Sequence, residues 1–241
     1  MKQIKHALFT FYQLLIVFPV LFVITIVVAL STTLLSPLLP NSKLSYYPAR
    51  FWGRTICRLC FVTVKISGLE NLDPLQSYVV VCNHQSMFDI FVVYGWFPFI
   101  FKWMMKAELR RIPLVGKACE AAGHIFINRS NPITAKAGLE KAEAQLQNGV
   151  SVVVFPEGTR TYTGEMGKFK RGAFRIATDL SLPIVPVTLR GSFERMHRNS
   201  CIVDPGTIEM HIHKPIDVIP YLPDNSAELI QTTWDTIHSE L

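Results

Sequence analysis

The feature that most constrains this chain is an uncharged apolar run near its N-terminus. No Asp, Glu, Lys or Arg occurs from Ala7 to Ser42, and Leu14 to Leu30 consists largely of Val, Ile, Leu and Phe. About 20 consecutive apolar residues are enough to cross a bilayer, so the run is long enough to do so. It is longer than the core of a signal peptide and lacks a small-x-small cleavage site. We therefore expect it to be retained as a membrane anchor.

Positive residues flank the apolar run on both sides. Lys2 and Lys5 precede it, and three arginines follow it. Because positive flanks favour the cytoplasmic side, both ends are predicted to lie there, yet the run is too short to cross the membrane twice. We interpret residues 1–60 as a helical pair that enters one leaflet from the cytoplasmic side, followed by a domain over residues 61–241. A single membrane span is the alternative.

The arginines that follow the run are spaced four residues apart. Arg50, Arg54 and Arg58 alternate with aromatic and aliphatic residues, and this spacing places them along one face of a helix. Such a basic amphipathic helix suits a lipid surface. The alternative is a helix packed on the domain by its apolar side.

The overall composition is basic and apolar. The net charge is +6 and 49% of the residues are hydrophobic. A positive balance indicates an anionic partner, and nucleic acid, anionic lipid headgroups and phosphorylated substrates all qualify. Nucleic-acid binding agrees with the positive charge but with no other feature of the chain. The N-terminus is apolar, and the chain has no aromatic-basic binding motif.

From residue 61 onward, short β-branched or aromatic runs alternate with helical segments. This alternation predicts an α/β domain with a mixed, largely parallel sheet flanked by helices. The predicted strands are Phe61–Ile66, Tyr78–Cys82, Phe99–Met104, His124–Asn128, Val150–Phe155 and Ile184–Leu189. Helices are predicted from Gln85 to before Pro98, from Asn131 to Gly149 and over Gly172–Leu180.

Polar clusters follow three of the predicted strands. His84 follows Tyr78–Cys82, Arg129 follows the fourth strand, and Glu157 to Arg160 follow Val150–Phe155. In open α/β sheets, ligands bind outside the carboxyl ends of the strands. We therefore expect the three clusters to meet at one site.

His84 and Asp89 have the chemistry of a general base and its orienting carboxylate. If His84 lies in the turn before a helix and Asp89 in its first turns, the two side chains can approach each other. No Gly-x-Ser-x-Gly motif occurs in the chain, and Cys82 ends an apolar strand, where a packed structural thiol is expected. These residues favour a reaction without a covalent enzyme intermediate.

Several cations are suited to binding phosphate. Arg160 follows a glycine and a threonine in a strand-exit turn, and its guanidinium offers a fork of donors. Lys106 and Arg129 are candidates for the same group, although each could be a plain surface charge. The run Lys168, Lys170, Arg171 and Arg175 is interpreted as a solvated or membrane-facing surface.

Neither the cysteines nor the histidines predict a metal site. Five scattered cysteines form no disulfide framework, and no second pair completes a zinc site with Cys57 and Cys60. Glu209, His211 and His213 alternate with apolar residues, which is the pattern of a half-exposed strand.

Four blocks resemble the 1-acylglycerol-3-phosphate (lysophosphatidate) acyltransferases, in that family's order. They span residues 83 to about 190, and Asn128 departs from the family, which commonly has Asp before the arginine. The blocks are Asn83-His84-Gln85-Ser86-x-x-Asp89, Lys106–Gly123 leading to Ile125–Arg129, Phe155–Arg160, and Pro183–Val187.

The resemblance implies transfer of an acyl group from coenzyme A or acyl carrier protein to the 2-hydroxyl of lysophosphatidate, with no other cofactor. His84 would take the hydroxyl proton and Asp89 would orient it, while backbone N–H groups of the following helix would hold the oxyanion. The remaining implied roles are phosphate binding by Lys106, Arg129 and Arg160, acceptor-site shaping by Glu157, Gly158 and Thr159, and an acyl-chain wall from Pro183, Val185 and Pro186. The expected partners are membrane lipids, and the expected place is the cytoplasmic face of the cell inner membrane.

Two alternatives to this function stay open. The acceptor could be another lysophospholipid or an amino-acid-derived lipid. The chain could also be a lipid-binding membrane protein that retains the fold without turnover, although an intact His84 and Asp89 pair argues against this.

Overall fold

The chain begins with long apolar helices, in a computed structural model that describes residues 2–127, 144–146, 148–222 and 225–241. Helix α1 (Lys2–Tyr12) continues through a π-helical turn (Gln13–Val17) into α2 (Phe18–Leu38). Helix α3 (Lys43–Leu59) follows, and the Ser42 hydroxyl caps it by accepting the Ser45 N–H at 3.1 Å. Among the described residues, the helix over Ala7–Leu38 is long and apolar enough to cross a membrane by length and composition.

Seven strands form one mixed sheet. They are β1 (Val62–Ser67), β2 (Val79–Cys82), β3 (Phe101–Lys106), β4 (Ile125–Ile127), β5 (Ser151–Val154), β6 (Ile184–Arg190) and β7 (Gly206–Ile212). The order across the sheet is β1-β7-β6-β2-β5-β3-β4. Every pairing is parallel except β6 with β7, so β2 to β6 all run in one direction. The predicted fold class is confirmed.

Helices cover both faces of the sheet. They are α4 (Phe88–Trp96), α5 (Val115–Ala121), α6 (Gly172–Asp179), the short α7 (Ser192–Arg195) and α8 (Ser226–His238). In β2, Val80 packs into the core beneath α3 and α4, whereas Val79 and Val81 pack into the core beneath α6 and α8. The uninterrupted apolar run of β2 therefore reflects burial on both sides, as is usual for parallel sheets.

Helices α3 and α4 approach each other closely, and the arginines of α3 stabilise this contact. A Cβ on Gly53 would lie 2.4 Å from the Phe91 carbonyl oxygen, so only glycine permits the crossing. Arg54 donates to the Gly95 carbonyl at 2.7 Å, and Arg50 donates to the Phe97 carbonyl at 2.6 Å. These groups end α4, where a helix leaves carbonyls unpaired.

The interpretation of all three arginines as a lipid-facing row is therefore wrong for Arg50 and Arg54. Their side chains point toward the domain because α4 supplies buried acceptors, and Arg58 is the one of the three that stays exposed. The alternative, a helix packed on the domain, is the observed arrangement.

Most predicted elements are confirmed within two residues of their bounds. Helix α4 begins at Phe88 rather than Gln85, because the preceding N–H groups bind a side chain instead of continuing the helix. Most of the helix predicted over Asn131–Gly149 lies outside the described residues. The strand over Gly206–Ile212 confirms the alternating pattern of Glu209 and its neighbours, whereas α8 was not predicted.

Candidate active site

Three neighbouring strands, β2, β5 and β3, end at the same edge of the sheet because they are parallel. His84 follows β2, the turn containing Glu157 follows β5, and Lys106 ends β3. Two of the three predicted clusters, His84 and the turn from Glu157 to Arg160, therefore lie at one edge of the sheet, and Lys106 lies at the same edge. Arg129, which was expected to join them after β4, lies outside the described residues.

His84 and Asp89 form a hydrogen-bonded pair at this edge. The His84 Nδ1 lies 2.9 Å from the Asp89 Oδ2, and the Asp89 side chain is fully buried. Because a carboxylate only accepts, Nδ1 carries the proton and Nε2 has a free lone pair. The arrangement can therefore remove a proton from a group placed at Nε2.

The turn between β2 and α4 is wrapped around the Asp89 carboxylate. The N–H groups of Gln85 and Ser86 donate to Oδ2 at 2.7 and 2.8 Å. Asp89 lies in the first turn of α4, where a negative charge is stabilised by the helix dipole. These contacts fix the position from which the carboxylate orients His84.

Asn83 and Ser86 attach the turn to more distant parts of the chain. The Asn83 amide donates to the Leu189 carbonyl at 2.8 Å and accepts the Leu189 N–H at 2.7 Å, as a strand residue would. The Ser86 hydroxyl donates to the Met196 carbonyl at 2.8 Å. The turn is therefore held rigidly even though it contains no regular structure.

Two aromatic rings support the imidazole from one side. The Phe155 ring stacks on His84 with centroids 3.9 Å apart and an angle of 9° between the planes. Trp103 stacks in turn on Phe155, with centroids 5.1 Å apart. The ring of His84 is therefore fixed by packing as well as by its hydrogen bond to Asp89.

Both carboxylate oxygens of Glu157 are occupied by backbone donors. The His84 N–H donates to Oε1 at 2.6 Å and the Gly167 N–H donates to Oε2 at 2.7 Å. Burial raises the pKa of Glu157, and these two N–H groups offset part of the rise. Glu157 is 6% exposed, so its geometry is that of a brace for the His84 backbone.

The rest of this turn faces the open edge of the sheet. Gly158 has a φ of +74°, which favours glycine, and its N–H donates to the Phe155 carbonyl at 3.0 Å. Thr159 is exposed and Arg160 is half-buried. The Arg160 carbonyl accepts from the Arg198 guanidinium at 2.6 Å, which fixes its main chain. Lys106 is exposed and lies 3.2 Å from the Glu108 carboxylate.

An apolar cavity of about 450 Å³ opens beside His84. His84 and Gly158 line it at the sheet edge, and it extends between β3, α3 and α5 to reach α2. Its wall includes Ala29 of α2, Tyr46 of α3 and Ala118 of α5. The N-terminal apolar helix thus forms part of the cavity.

Pro183, Val185 and Pro186, which the resemblance assigns to an acyl-chain wall, do not line this cavity. Val185 and Pro186 are buried inside β6, paired with Val80 and Val81 of β2. The Pro183 carbonyl accepts the Val79 N–H at 3.0 Å. The block stabilises the sheet because β6 is an inner strand, separated from β3 by β2 and β5.

The other candidate clusters have structural surroundings. Cys82 is fully buried and burial raises the pKa of its thiol, as expected for a packed cysteine. His211 Nδ1 lies 2.7 Å from the Ser67 hydroxyl, and His213 Nε2 lies 2.8 Å from the Thr188 hydroxyl. No group of three or more potential metal ligands occurs in the part of the chain that the structure describes.

Sequence reasoning missed the aromatic support of His84 and the cavity. Phe155 was assigned to a strand, and Trp103 was one apolar residue among many. The signal that points to Phe155 is its place at the carboxyl end of β5, level with His84. No local signal shows that α2 and α3 enclose a space with α5, because α5 is far from both of them in the chain.

Comparison with known proteins agrees with this geometry. Residues 63–190 match the family described as Acyltransferase. The chloroplastic 1-acyl-sn-glycerol-3-phosphate acyltransferase LPAT1 of Arabidopsis thaliana is 35% identical over 176 residues, which cover 72% of this chain and 49% of the relative. The 1-acyl-sn-glycerol-3-phosphate acyltransferase alpha of Mus musculus is 34% identical over 75% of this chain and 65% of the relative. This chain thus spans about half to two thirds of these relatives.

A solved structure is similar over nearly the whole chain. It is the crystal structure of the 1-acyl-sn-glycerophosphate (LPA) acyltransferase PlsC from Thermotoga maritima, with a TM-score of 0.79 and 26% identity. The similarity covers 98% of this chain and 95% of that one. Because the family match includes His84, Asp89 and the turn at Glu157, the chain belongs to the acyltransferase family.

Proposed function

We propose that this protein transfers an acyl group from a thioester of coenzyme A or acyl carrier protein to the 2-hydroxyl of 1-acyl-sn-glycerol-3-phosphate, forming phosphatidate. The observation that carries the proposal is the His84–Asp89 pair at the opening of a long apolar cavity. A base that accepts a proton beside a space for an acyl chain suits ester formation on a lipid hydroxyl. The names of the relatives from Arabidopsis, mouse and Thermotoga support the same acceptor.

The reaction requires one base that later acts as an acid. His84 Nε2 takes the proton of the acceptor hydroxyl as its oxygen attacks the thioester carbonyl carbon. The new C–O bond forms, the C–S bond breaks, and the leaving thiolate takes the proton from His84. Asp89 stabilises the imidazolium between these steps, and its buried hydrogen bonds keep it in place for the next cycle.

Three backbone N–H groups at and before the start of α4 already have partners. The N–H groups of Gln85 and Ser86 bind the Asp89 carboxylate, and the Phe88 N–H donates to the Ser86 hydroxyl at 3.3 Å. These three donors are therefore already used, so in the proposal the oxyanion is stabilised by other N–H groups than these. Their function in the proposal is to orient Asp89.

The acceptor phosphate binds at the sheet edge in this proposal. Lys106 and Arg160 both lie at the carboxyl ends of strands next to His84, and both side chains reach solvent. Arg160 offers two parallel donors to phosphate oxygens, whereas Lys106 acts as a point charge. Arg129 remains a predicted third member. Gly158 and Thr159 shape the same turn, and Glu157 positions it through the His84 backbone.

The acyl chain occupies the apolar cavity in this proposal. Its wall consists mostly of aliphatic and aromatic side chains, and it leads from His84 toward α2. An acyl chain inserted there places its thioester carbonyl beside His84. This assignment replaces Pro183, Val185 and Pro186, which pack inside the sheet.

Residues 1–60 act as the membrane anchor of the domain over residues 61–241, and they hold the catalytic edge at the cytoplasmic face of the inner membrane. The 32 residues of the apolar helix rise about 48 Å, whereas the hydrocarbon core is about 30 Å thick. Helix α2 also packs along α3 of the anchor and along α5 of the domain. Both facts favour a helix that lies along one leaflet over a single span, and labelling of cysteines placed at the two ends from each side of the membrane tests this.

The proposed roles of the pair are tested with purified His84→Ala and Asp89→Asn proteins. Loss of the base or of its orienting charge should lower kcat by about 10³- to 10⁴-fold. The measurement is acyl transfer from acyl-coenzyme A and acyl carrier protein to lysophosphatidate, read by mass spectrometry. Near-normal turnover in either variant would contradict the assigned roles.

Cys82→Ala serves as the matched control, because Cys82 is buried next to the site and has no role in the mechanism. The Cys82→Ala variant should retain turnover. Loss of turnover in this variant would indicate a thiol intermediate. A panel of lyso-acceptors in the same assay separates lysophosphatidate from other lysophospholipids and from amino-acid-derived lipids. Binding without product in the unaltered protein would identify a non-catalytic lipid-binding protein.

A further inference from the structure

Within the part of the chain that the structure describes, the Gln13 side chain makes no hydrogen bond to its own helix, whereas several hydroxyls of the apolar helix do. The hydroxyls of Thr25, Ser31 and Thr33 donate to carbonyls four residues earlier in their own helix. Gln13 instead reaches the α/β domain and is fully buried. It is also the only Gln or Asn between Ala7 and Leu38.

The π-helical turn orients the Gln13 side chain toward the domain. It begins at Gln13 and ends at Val17, and these two residues are buried while Leu14, Leu15 and Ile16 between them are exposed. A π-helical turn adds a residue to the helix, is less stable than a regular turn, and often occurs at functional sites. Its presence here is explained by the contact that Gln13 makes.

The Gln13 amide binds both backbone groups of Val203. Its Nε2 donates to the Val203 carbonyl at 2.9 Å, and its Oε1 accepts the Val203 N–H at 2.8 Å. Val203 is 4% exposed, so both groups would be buried without partners if Gln13 were apolar. Leaving buried backbone groups unpaired is unfavourable. Gln13 therefore fixes this point of the chain.

Val203 belongs to segment 196–205, an irregular stretch between α7 and β7 that also contacts the active site. The Met196 carbonyl accepts from the Ser86 hydroxyl at 2.8 Å, next to the N–H that binds Asp89. Arg198 donates to the Arg160 carbonyl at 2.6 Å, and its guanidinium lies 4.0 Å from the centre of the Tyr162 ring. One end of the segment thus binds the apolar helix. The other end holds the turn that contains Arg160, the acceptor turn.

We propose that Gln13 is a positioning residue for the acyl acceptor: by holding segment 196–205, the apolar helix sets the position of Arg160 and of the Ser86 turn. The inference rests on the proposed function, because it assigns acceptor binding to Arg160. The donor cavity depends mainly on other contacts, since most of its wall comes from α2, α3, α4, α5, β3 and the turn after β5. His84 and Met87 line it from the Ser86 turn, and segment 196–205 does not line it. Loss of the Gln13 contact therefore affects the acceptor selectively.

The test is Gln13→Leu, which removes both hydrogen bonds and keeps an apolar side chain of similar size. Displacing the acceptor turn should raise the KM for lysophosphatidate by about tenfold or more, while the KM for the acyl donor changes by less than about twofold. Ser31→Ala is the control, because it removes a hydroxyl that binds only its own helix. Both proteins are assayed in the same detergent micelles, with partition into lipid vesicles measured in parallel.

A second variant tests the same connection from its other end. Arg198→Leu removes the donor to the Arg160 carbonyl without altering the apolar helix, and it should raise the same KM. The double variant should show less than the product of the two separate effects, because both act through one segment. In Gln13→Leu, amide hydrogen exchange should increase in residues 196–205 and 158–161.

The outcomes separate this inference from the proposed function. An equal rise of the acceptor and donor KM values, an unchanged acceptor KM, or exchange that is unchanged in residues 158–161 would overturn the role of Gln13. A loss of thermal stability alone would show a structural role only and would equally overturn it. Absence of acyl transfer to lysophosphatidate by the unaltered protein would instead contradict the proposed function.

Discussion

His84 is held by one residue close to it in the chain and by two residues that are distant from it. Asp89 binds its Nδ1, Phe155 packs against its face, and Glu157 binds its backbone N–H. A base works best when it is oriented before the substrate arrives, because little reorganisation is then required during the reaction. At the residue scale, the site is therefore built to fix one ring.

Arg160→Ala should chiefly raise the KM for lysophosphatidate. The side chain supplies phosphate donors in the proposal, whereas its carbonyl, held by Arg198, keeps the main chain in place. Arg160→Lys keeps the charge but loses the forked geometry, so it should restore only part of the affinity. Lys168→Ala is the control, since Lys168 is an exposed cation nearby. An unchanged KM in Arg160→Ala would remove Arg160 from the phosphate site.

Glu157→Gln should alter how stability depends on pH. Burial raises the pKa of Glu157 above its ordinary value, which is about 4.3. Between these two values the folded chain binds more protons than the unfolded chain, so the contribution of Glu157 to stability decreases as pH rises and is constant above the raised pKa. The unfolding free energy of the unaltered protein minus that of Glu157→Gln should therefore fall with rising pH through this window. A difference that increases with pH would contradict the raised pKa.

At the element scale, the crossing of α3 and α4 determines how closely the two helices pack on the core beneath them. Gly53 lies against the Phe91 carbonyl, and Arg50 and Arg54 bind the carbonyls that end α4. Since Asp89 is in the first turn of α4, displacement of this helix also displaces the His84–Asp89 pair. The contact therefore connects the anchor region to the chemistry through packing.

Gly53→Ala tests the crossing. Its Cβ would lie 2.4 Å from the Phe91 oxygen and 3.1 Å from the Gly95 nitrogen, so the helices must separate, at a cost of about 1–3 kcal/mol in unfolding free energy. Gly172→Ala is the matched control, because a Cβ there meets nothing within 4 Å. It should be neutral or stabilising by up to about 1 kcal/mol. Equal stabilities of the two variants, measured by denaturant unfolding in detergent, would contradict the close approach.

Elements whose signal is local were predictable from the sequence, and those that depend on distant partners were not. The runs before His84 and Glu157 are apolar on both faces, which directly indicates inner strands. The arginines of α3 were assigned to lipid because their spacing shows a shared face but not what that face contacts. Gln13 gave no signal at all, since its partner Val203 lies 190 positions along the chain.

At the scale of the whole molecule, the candidate site combines the sheet edge with a cavity that reaches the apolar helix. The positions of His84, Asp89 and the turn at Glu157 follow from parallel strands ending together, so they could be predicted. The cavity could not, because its wall comes from elements that meet only in the folded protein. Pro183, Val185 and Pro186, which the resemblance assigns to an acyl-chain wall, lie outside this cavity.

Ala29→Phe should shorten the acyl chains that the protein transfers. Ala29 of α2 lines the cavity and is 5% exposed, so a phenyl ring there fills space that a long chain would occupy. Leu30→Phe is the control, since Leu30 is the next residue of the same helix but is 54% exposed. Competition between short and long acyl donors measures the preference. An unchanged preference in Ala29→Phe would show that chains bind elsewhere.

Because α2 presents one side to the cavity and another to its surroundings, two properties of the protein share the same 21 residues. A substitution that adapts this helix to a bilayer of different thickness also changes its fit against α5, and with it the space beside Ala29. Deleting the helix to obtain a water-soluble form would leave a substrate site with one side open. Attachment to the membrane and choice of acyl chain are therefore expected to change together when the sequence of α2 diverges.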